Sequence, residues 1–222
     1  EQGLPKSLAG LPAGEARSMG IHESQSLFFE MQVGRSEPFI GHLARLAGNQ
    51  FSGAEFEKEN FQKIYTRVEK GFIRVDADEL TYPAHVILRY EIERDLINGK
   101  IKHTDVPELW NQKMQAYLGL STKDNYKNGC MQDIHWTDGA FGYFPSYTLG
   151  AMYAAQFMAA MKNTVDVNSA IESGDLSPIF NWLETNIWSK GSLLTTNDLV
   201  TQATGEILNP EHFKKHLVER YL

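Results

Sequence analysis

Leu149-Gly150-Ala151-Met152-Tyr153-Ala154-Ala155-Gln156-Phe157-Met158-Ala159-Ala160-Met161 is the longest nearly apolar run in this 222-residue chain. It is dominated by Ala and Met, which favour helix, and it carries Gln156 at its centre. It falls short of the roughly 20 apolar residues of a membrane span, so its reading is a buried helix of a globular core. Downstream, the pattern predicts shorter helices over 166–173, 176–189, 196–204 and 210–221. Upstream, loop chemistry dominates from Ser121 to Tyr147, with Lys127-Asn128-Gly129 and Asp138-Gly139 as turn signals.

The same logic extends toward the N-terminus. Pro107 opens a helix that ends near Gly119, and Thr81 followed by Pro83 starts another that stops at Asn98-Gly99. Apolar residues of the latter fall on more than one face, which marks it as internal. Phe61, Ile64, Tyr65 and Val68 follow the spacing of an amphipathic helix. Helices are also predicted over Ser18–Val33 and Pro38–Leu46, after a Gly/Pro-rich loop over 1–17. Phe72, Ile73 and Val75 are the best strand candidate. The chain therefore reads as all-α with one or two short strands, without repeats, linkers or low-complexity segments.

Bulk properties narrow the function classes. A net charge of −7, spread without long runs, argues against nucleic acid as a partner. No membrane segment and no signal peptide are read. The single Cys130 excludes an internal disulfide framework and fits a reducing cytoplasm.

Three compact polar motifs carry the chemistry. In His22-Glu23-Ser24-Gln25-Ser26 a zincin-like spacing is broken, because Ser occupies the position of the second His. The segment offers one metal ligand at most, Glu23, whereas catalytic zinc takes three protein ligands; the plain alternative is a helix with polar groups facing solvent. In Ile73-Arg74-Val75-Asp76-Ala77-Asp78-Glu79, a partly desolvated Arg74 suits bidentate capture of a carboxylate, with Asp76 and Asp78 holding its guanidinium. A surface ion pair between Arg74 and either Asp is the competing reading. Gly129-Cys130-Met131-Gln132-Asp133-Ile134-His135-Trp136 gathers Gln, Asp, His and Trp in a loop. There an Asp can orient a His that stabilises an oxyanion, with Tyr143 and Tyr147 as downstream phenols, or an aromatic cluster can close a core. His212 and His216, at i and i+4, lack an intervening Glu and sit beside Lys214 and Lys215, so no natural metal site is assigned to them.

Taken together and in this order, His-Glu-Ser-Gln, Ile-Arg-x-x-Ala-Asp and Gly-x-x-Gln-Asp-x-His-Trp resemble the Taq-type thermostable carboxypeptidases, a family of zinc metallocarboxypeptidases. The resemblance extends through Val33-Gly34-Arg35-Ser36, Asp78-Glu79-Leu80-Thr81-Tyr82 and Gly142-Tyr143-Phe144-Pro145. It implies a mostly helical, saddle-shaped fold with a deep groove. It also implies Glu23 as a zinc ligand, Arg74 as the grip on a peptide's free C-terminal carboxylate, and His135 with Tyr143 or Tyr147 as catalytic groups. His22, Gln25, Asp76, Asp78, Gln132 and Asp133 then shape the substrate site.

The family's His-Glu-x-x-His, which supplies two zinc ligands and the general base, is absent, as is Asp-x-Arg-x-Thr. The expectation is therefore that residues 1–222 are the C-terminal part of a single metallocarboxypeptidase domain, that zinc belongs to the intact enzyme, and that this chain alone is inactive. The family also implies peptide substrates and a homodimer. The rival reading is a non-catalytic helical module that binds peptides or a partner subunit.

Overall fold

The computed structural model describes residues 3–222. It is all-α: ten α-helices, joined by short 3-10 turns and one π-helical segment, and no strand among the described residues. The chain forms two compact units, one made of residues up to Thr66 together with Leu149–Leu222, the other of Arg67–Thr148.

In the first unit, α1 (Met19–Leu27) opens with the Ser18 hydroxyl accepting from the Ile21 amide at 3.2 Å, which satisfies one of the N–H groups a helix start leaves orphaned. It runs directly into the π-helical segment Phe28–Val33. α2 (Glu37–Gly48) is capped by Ser36 and begins with Pro38 in its first turn. α3 (Lys58–Tyr65) ends earlier than the apolar spacing predicted: the Thr66 hydroxyl donates to the Gln62 carbonyl, and Val68 lies outside the helix, exposed.

The run at Leu149–Met161 is the heart of this unit. It lies in α6 (Pro145–Met161), which starts four residues sooner than the sequence suggested and buries Ala151, Ala154, Ala155, Phe157, Met158 and Met161. Phe28, Met31, Ile171, Ile179, Leu183 and Val200 belong to the same core. Close approach of α1 is set by Gly150, where a Cβ would stand 2.7 Å from the Glu23 Cβ and 3.0 Å from the Ser24 nitrogen. The fully buried Gln156 is not an anomaly. Its amide donates to Thr204 Oγ1 at 2.9 Å and to the Ile207 carbonyl at 3.0 Å, and its oxygen accepts from the Asn209 amide at 2.9 Å. It thereby ties α6 to the loop between α9 (Thr196–Thr204) and α10 (Glu211–Tyr221). α7 (Val167–Ser173) and α8 (Ser177–Asn186) complete the unit.

In the second unit, α4 (Tyr82–Ile97) packs on α5 (Val106–Leu118) through Leu88, Ile92, Trp110, Met114 and Leu118. α4 is internal, as its scattered apolar residues suggested. Gly99 (φ +67°) and Gly119 (φ +71°) take the left-handed conformation that ends each helix. The strand expected at 72–75 is not formed. Arg74–Asp76 is a 3-10 turn, with Val75 70% exposed. A strand needs a partner for its amides, and here the Arg74 amide instead donates to Gln132 Oε1 at 2.8 Å. Of the loop predicted over 1–17, residues 6–8 and 12–14 form 3-10 turns, while Glu1 and Gln2 lie outside the described residues.

Candidate active site

Asp133 organises the second unit's polar centre. Its Oδ1 accepts from Arg74 Nε at 2.9 Å and Nη2 at 2.7 Å, and its Oδ2 accepts from Arg89 Nε at 2.6 Å. Arg74 is 5% exposed and Arg89 fully buried. The turn at 74–76 and helix α4 therefore deliver two guanidiniums to one carboxylate on the loop after α5. Gln132 locks that loop in place, donating to the carbonyls of Phe72, Asn128 and Gly129 while accepting from the Arg74 amide. Arg74 Nη1 donates to the Tyr82 hydroxyl at 2.7 Å, and its guanidinium carbon lies 4.7 Å from the Tyr147 ring centre. Arg89 stacks on Trp110 at 4.4 Å and donates to the His85 carbonyl.

Charges follow from this packing. Burial alone would push the Asp133 carboxyl up, but Arg89 and Arg74 outweigh it and hold it below the usual carboxylate range. Arg74, opposed by burial but hydrogen-bonded to Asp133, is held above its ordinary value. Arg89 loses more to burial, which lowers it to about 10 despite the same partner. Both guanidiniums are charged at neutral pH, and both donate to the Asp133 carboxylate.

His135 sits beside this cluster. Its Nε2 is 2.9 Å from the Tyr147 hydroxyl, and its ring lies 4.2 Å from Phe144, centre to centre. The expectation that Asp133 orients His135 is corrected: Asp133 Oδ1 is 3.9 Å from Nδ1, beyond hydrogen-bonding range, because the arginines occupy the carboxylate. Tyr147 is the hydrogen-bond partner instead. Burial, followed by the Arg74 charge, lowers the His135 pKa, so the ring is neutral at pH 7. Tyr143 packs against both, its ring centre 5.7 Å from His135 and 5.3 Å from Tyr147.

Asp76 and Asp78 do not hold the Arg74 fork, contrary to the expectation for this segment. Asp76 is exposed. Asp78 caps the approach to α4, its Oδ1 accepting from the amides of Leu80 and Thr81 and its Oδ2 from the Thr81 hydroxyl. It thereby fixes the helix start that carries Tyr82.

The sequence reading missed His85, Arg89 and Glu93. Glu93 accepts from the Trp136 indole at 2.7 Å and from the Gly142 amide, pinning both ends of the 136–142 loop. The signal was present: three ionisable residues recur every fourth position on a helix already read as internal, which puts them on one inward stripe.

His22, Glu23 and Gln25 belong to α1 in the first unit, all half-buried. His22 and Gln25 line a cavity of about 580 Å³ walled by Phe29, Phe180, Ile187 and Trp188. Gln25 Oε1 accepts from the Trp188 indole at 2.7 Å, and its amide donates to Ser24 Oγ at 2.8 Å. Among the described residues no group of three His, Cys, Asp or Glu side chains can hold a metal ion. His212 Nε2 is 2.8 Å from Glu206 Oε1. The described residues by themselves therefore do not fit the three-ligand set of a catalytic zinc.

The described residues thus form an all-helical fold whose second unit holds a buried Arg–Asp–Arg cluster with a His–Tyr pair beside it. The family model described as carboxypeptidase Taq (M32) metallopeptidase matches residues 1–221, and the chain belongs to that family. It is 39% identical to carboxypeptidase 1 of Bacillus subtilis and 40% identical to thermostable carboxypeptidase 1 of Thermus thermophilus. Each alignment covers all of this chain and 44% of the relative. Among solved structures, metallocarboxypeptidase 1 of Trypanosoma cruzi superposes with a TM-score of 0.95 at 50% identity, over 99% of this chain and 47% of that one. The chain thus spans less than half the length of the relatives it matches.

Proposed function

We propose that this chain is the C-terminal part of a single zinc metallocarboxypeptidase domain that releases C-terminal amino acids from peptides, and that it supplies the substrate-carboxylate side of the site. The supporting observation is the Arg74 guanidinium, held in place by Asp133 and Tyr82, a planar donor group of the kind that captures a terminal carboxylate. Asp133 and Gln132 position Arg74, and Asp78 acts through the start of α4 and Tyr82. Asp76, at the end of the same turn, completes the segment, and His22 and Gln25 contact substrate from α1. His135, with Tyr147 or Tyr143, donates to the developing oxyanion. The contact between His135 Nε2 and the Tyr147 hydroxyl couples the two groups in this role.

In this reading Glu23 serves as one metal ligand, and the chain alone retains no zinc and hydrolyses nothing. The working assembly is a homodimer in the cytoplasm. No helix among the described residues is long and apolar enough to cross a membrane.

Peptide affinity tests the reading. A peptide with a free C-terminus should bind at least about tenfold more tightly than its amide. Arg74→Lys keeps the charge but loses the paired donors, so it should erase most of that difference. In an enzyme carrying the complete site, the same substitution should lower kcat/KM by about tenfold or more. Equal sensitivity to amidation in wild type and mutant would make Arg74 a structural partner of Asp133 only.

A further inference from the structure

Helix α4 buries one side in the second unit and leaves another apolar side bare. His85, Leu88, Arg89, Ile92 and Glu93 are buried. Ile87, Tyr90 and Ile97 are 45%, 43% and 67% exposed, and Arg94 stands exposed among them. These four follow one another at steps of three, four and three residues, the spacing that lines up a single seam along a helix. A helix that is apolar on more than one side is normally covered on more than one side.

The order of residues along the seam says what fits it. Against a second copy running the opposite way, Ile87 meets Ile97 and Tyr90 meets Arg94, because both pairs are symmetric about position 92. A two-fold axis there makes each contact occur twice, as a self-complementary interface requires. Arg94 already holds its guanidinium carbon 5.5 Å from the centre of its own Tyr90 ring, so the cation–π contact on offer across the axis is one these side chains make. A parallel copy would set Arg94 against Arg94, which like charges oppose. The neighbouring charges are balanced within the chain. Arg94 Nε donates to Asp95 at 3.3 Å, and Glu91 accepts from Lys113 and from the Tyr117 hydroxyl at 2.7 Å each. Closing the seam therefore strands no lone charge.

We propose that the Ile87–Tyr90–Arg94–Ile97 seam of α4 is a two-fold, antiparallel docking surface for a second copy of this chain. The inference rests on the homodimer of the proposed function and gives that dimer a surface. It uses no residue of the Arg74–Asp133 cluster and does not depend on the role given to Arg74.

Sedimentation of Ile87→Lys and Ile97→Glu, alone and mixed, is the test. Both positions are exposed, so each variant should keep its helical circular dichroism. Each alone sets charges against isoleucines, and its dimer should dissociate at least about tenfold more readily. An equimolar mixture should recover wild-type association, because a mixed dimer opposes the new lysine to the new glutamate and leaves the other isoleucine pair intact. Dimers unchanged in both variants would overturn the proposal while leaving the homodimer to another face. If the substitutions then lowered the thermal midpoint only in a chain as long as the relatives, the seam would belong to the remainder of that chain. Weakening without recovery on mixing would overturn the antiparallel pairing. A wild-type chain that stays monomeric at every concentration would overturn both this inference and the homodimer.

Discussion

Asp133 is the residue on which the second unit's polar centre depends. Its side chain is 10% exposed and faces guanidinium side chains at 6% and 0%. Asp133→Asn would remove the charge that two buried guanidiniums share, and removing one partner of a buried pair costs about 3–5 kcal/mol. A fall of that size in urea-unfolding stability is expected, and a change below about 1 kcal/mol would show that solvent reaches the arginines. His85 makes a separate prediction. Its ring is fully buried, and burial, followed by the Arg89 charge, lowers its pKa from 6.5 to about 4. As pH falls below 6.5 the unfolded chain takes up a proton that the native ring refuses until about pH 4, so stability should drop across that window by about 3 kcal/mol. His135, also lowered, adds to the loss with the same sign. Asp133, held low by its arginines, keeps its contribution through this window and loses it only at lower pH. Unfolding measured from pH 7 to pH 4 should show a clearly shallower slope for His85→Gln than for wild type.

At the scale of elements, helix α6 sets the architecture of the first unit through one small residue and one amide. The Gly150 contact is with the backbone and Cβ of α1, not with the movable end of a side chain. Gly150→Ala should therefore push α1 and α6 apart, outweighing the helix-propensity gain of about 1 kcal/mol that Ala brings elsewhere. A thermal midpoint equal to or above wild type would show that α1 can shift without cost. Gln156→Leu removes four hydrogen bonds to the 204–209 loop and orphans the Asn209 amide. A loss of about 1–3 kcal/mol is expected, with faster amide exchange confined to that loop and the start of α10. Uniformly faster exchange would mean that Gln156 supports the whole unit rather than the loop.

For the whole molecule, the family and the lack of a three-ligand metal cluster among the described residues lead to one expectation. After dialysis against a weak chelator the chain should retain well under one zinc, and peptidase activity should be undetectable. One zinc per chain, lost in Glu23→Gln together with hydrolysis, would reverse that expectation. Exposed apolar side chains such as Phe51, Ile64, Met131 and Ile134, at 59–68% exposure, favour self-association. Sedimentation at low micromolar concentration should therefore show a dimer, and a clean monomer would remove the homodimer from the proposal.

Most of the helices were legible without a structure because their signals are local. Apolar spacing, the Pro83 and Pro107 starts and the Gly99 and Gly119 stops act within a few residues of each boundary; α4 and α5 lie where those signals put them, whereas α3 ends before Val68 and α6 begins before Leu149. The three motifs identified the family by the same short-range route. What only the tertiary structure decided was the pairing of charges over long sequence separations. Arg74 could be read as a carboxylate grip, but nothing nearby showed that Asp133, 59 residues on, would hold it. Asp76 and Asp78 were nearer in sequence, yet Asp78 is spent on helix-start amides that are orphaned by backbone geometry. The absent strand at 72–75 has the same origin. A strand is stabilised by a partner elsewhere in the chain, and the partner that folding brought to the Arg74 amide was the side chain of Gln132.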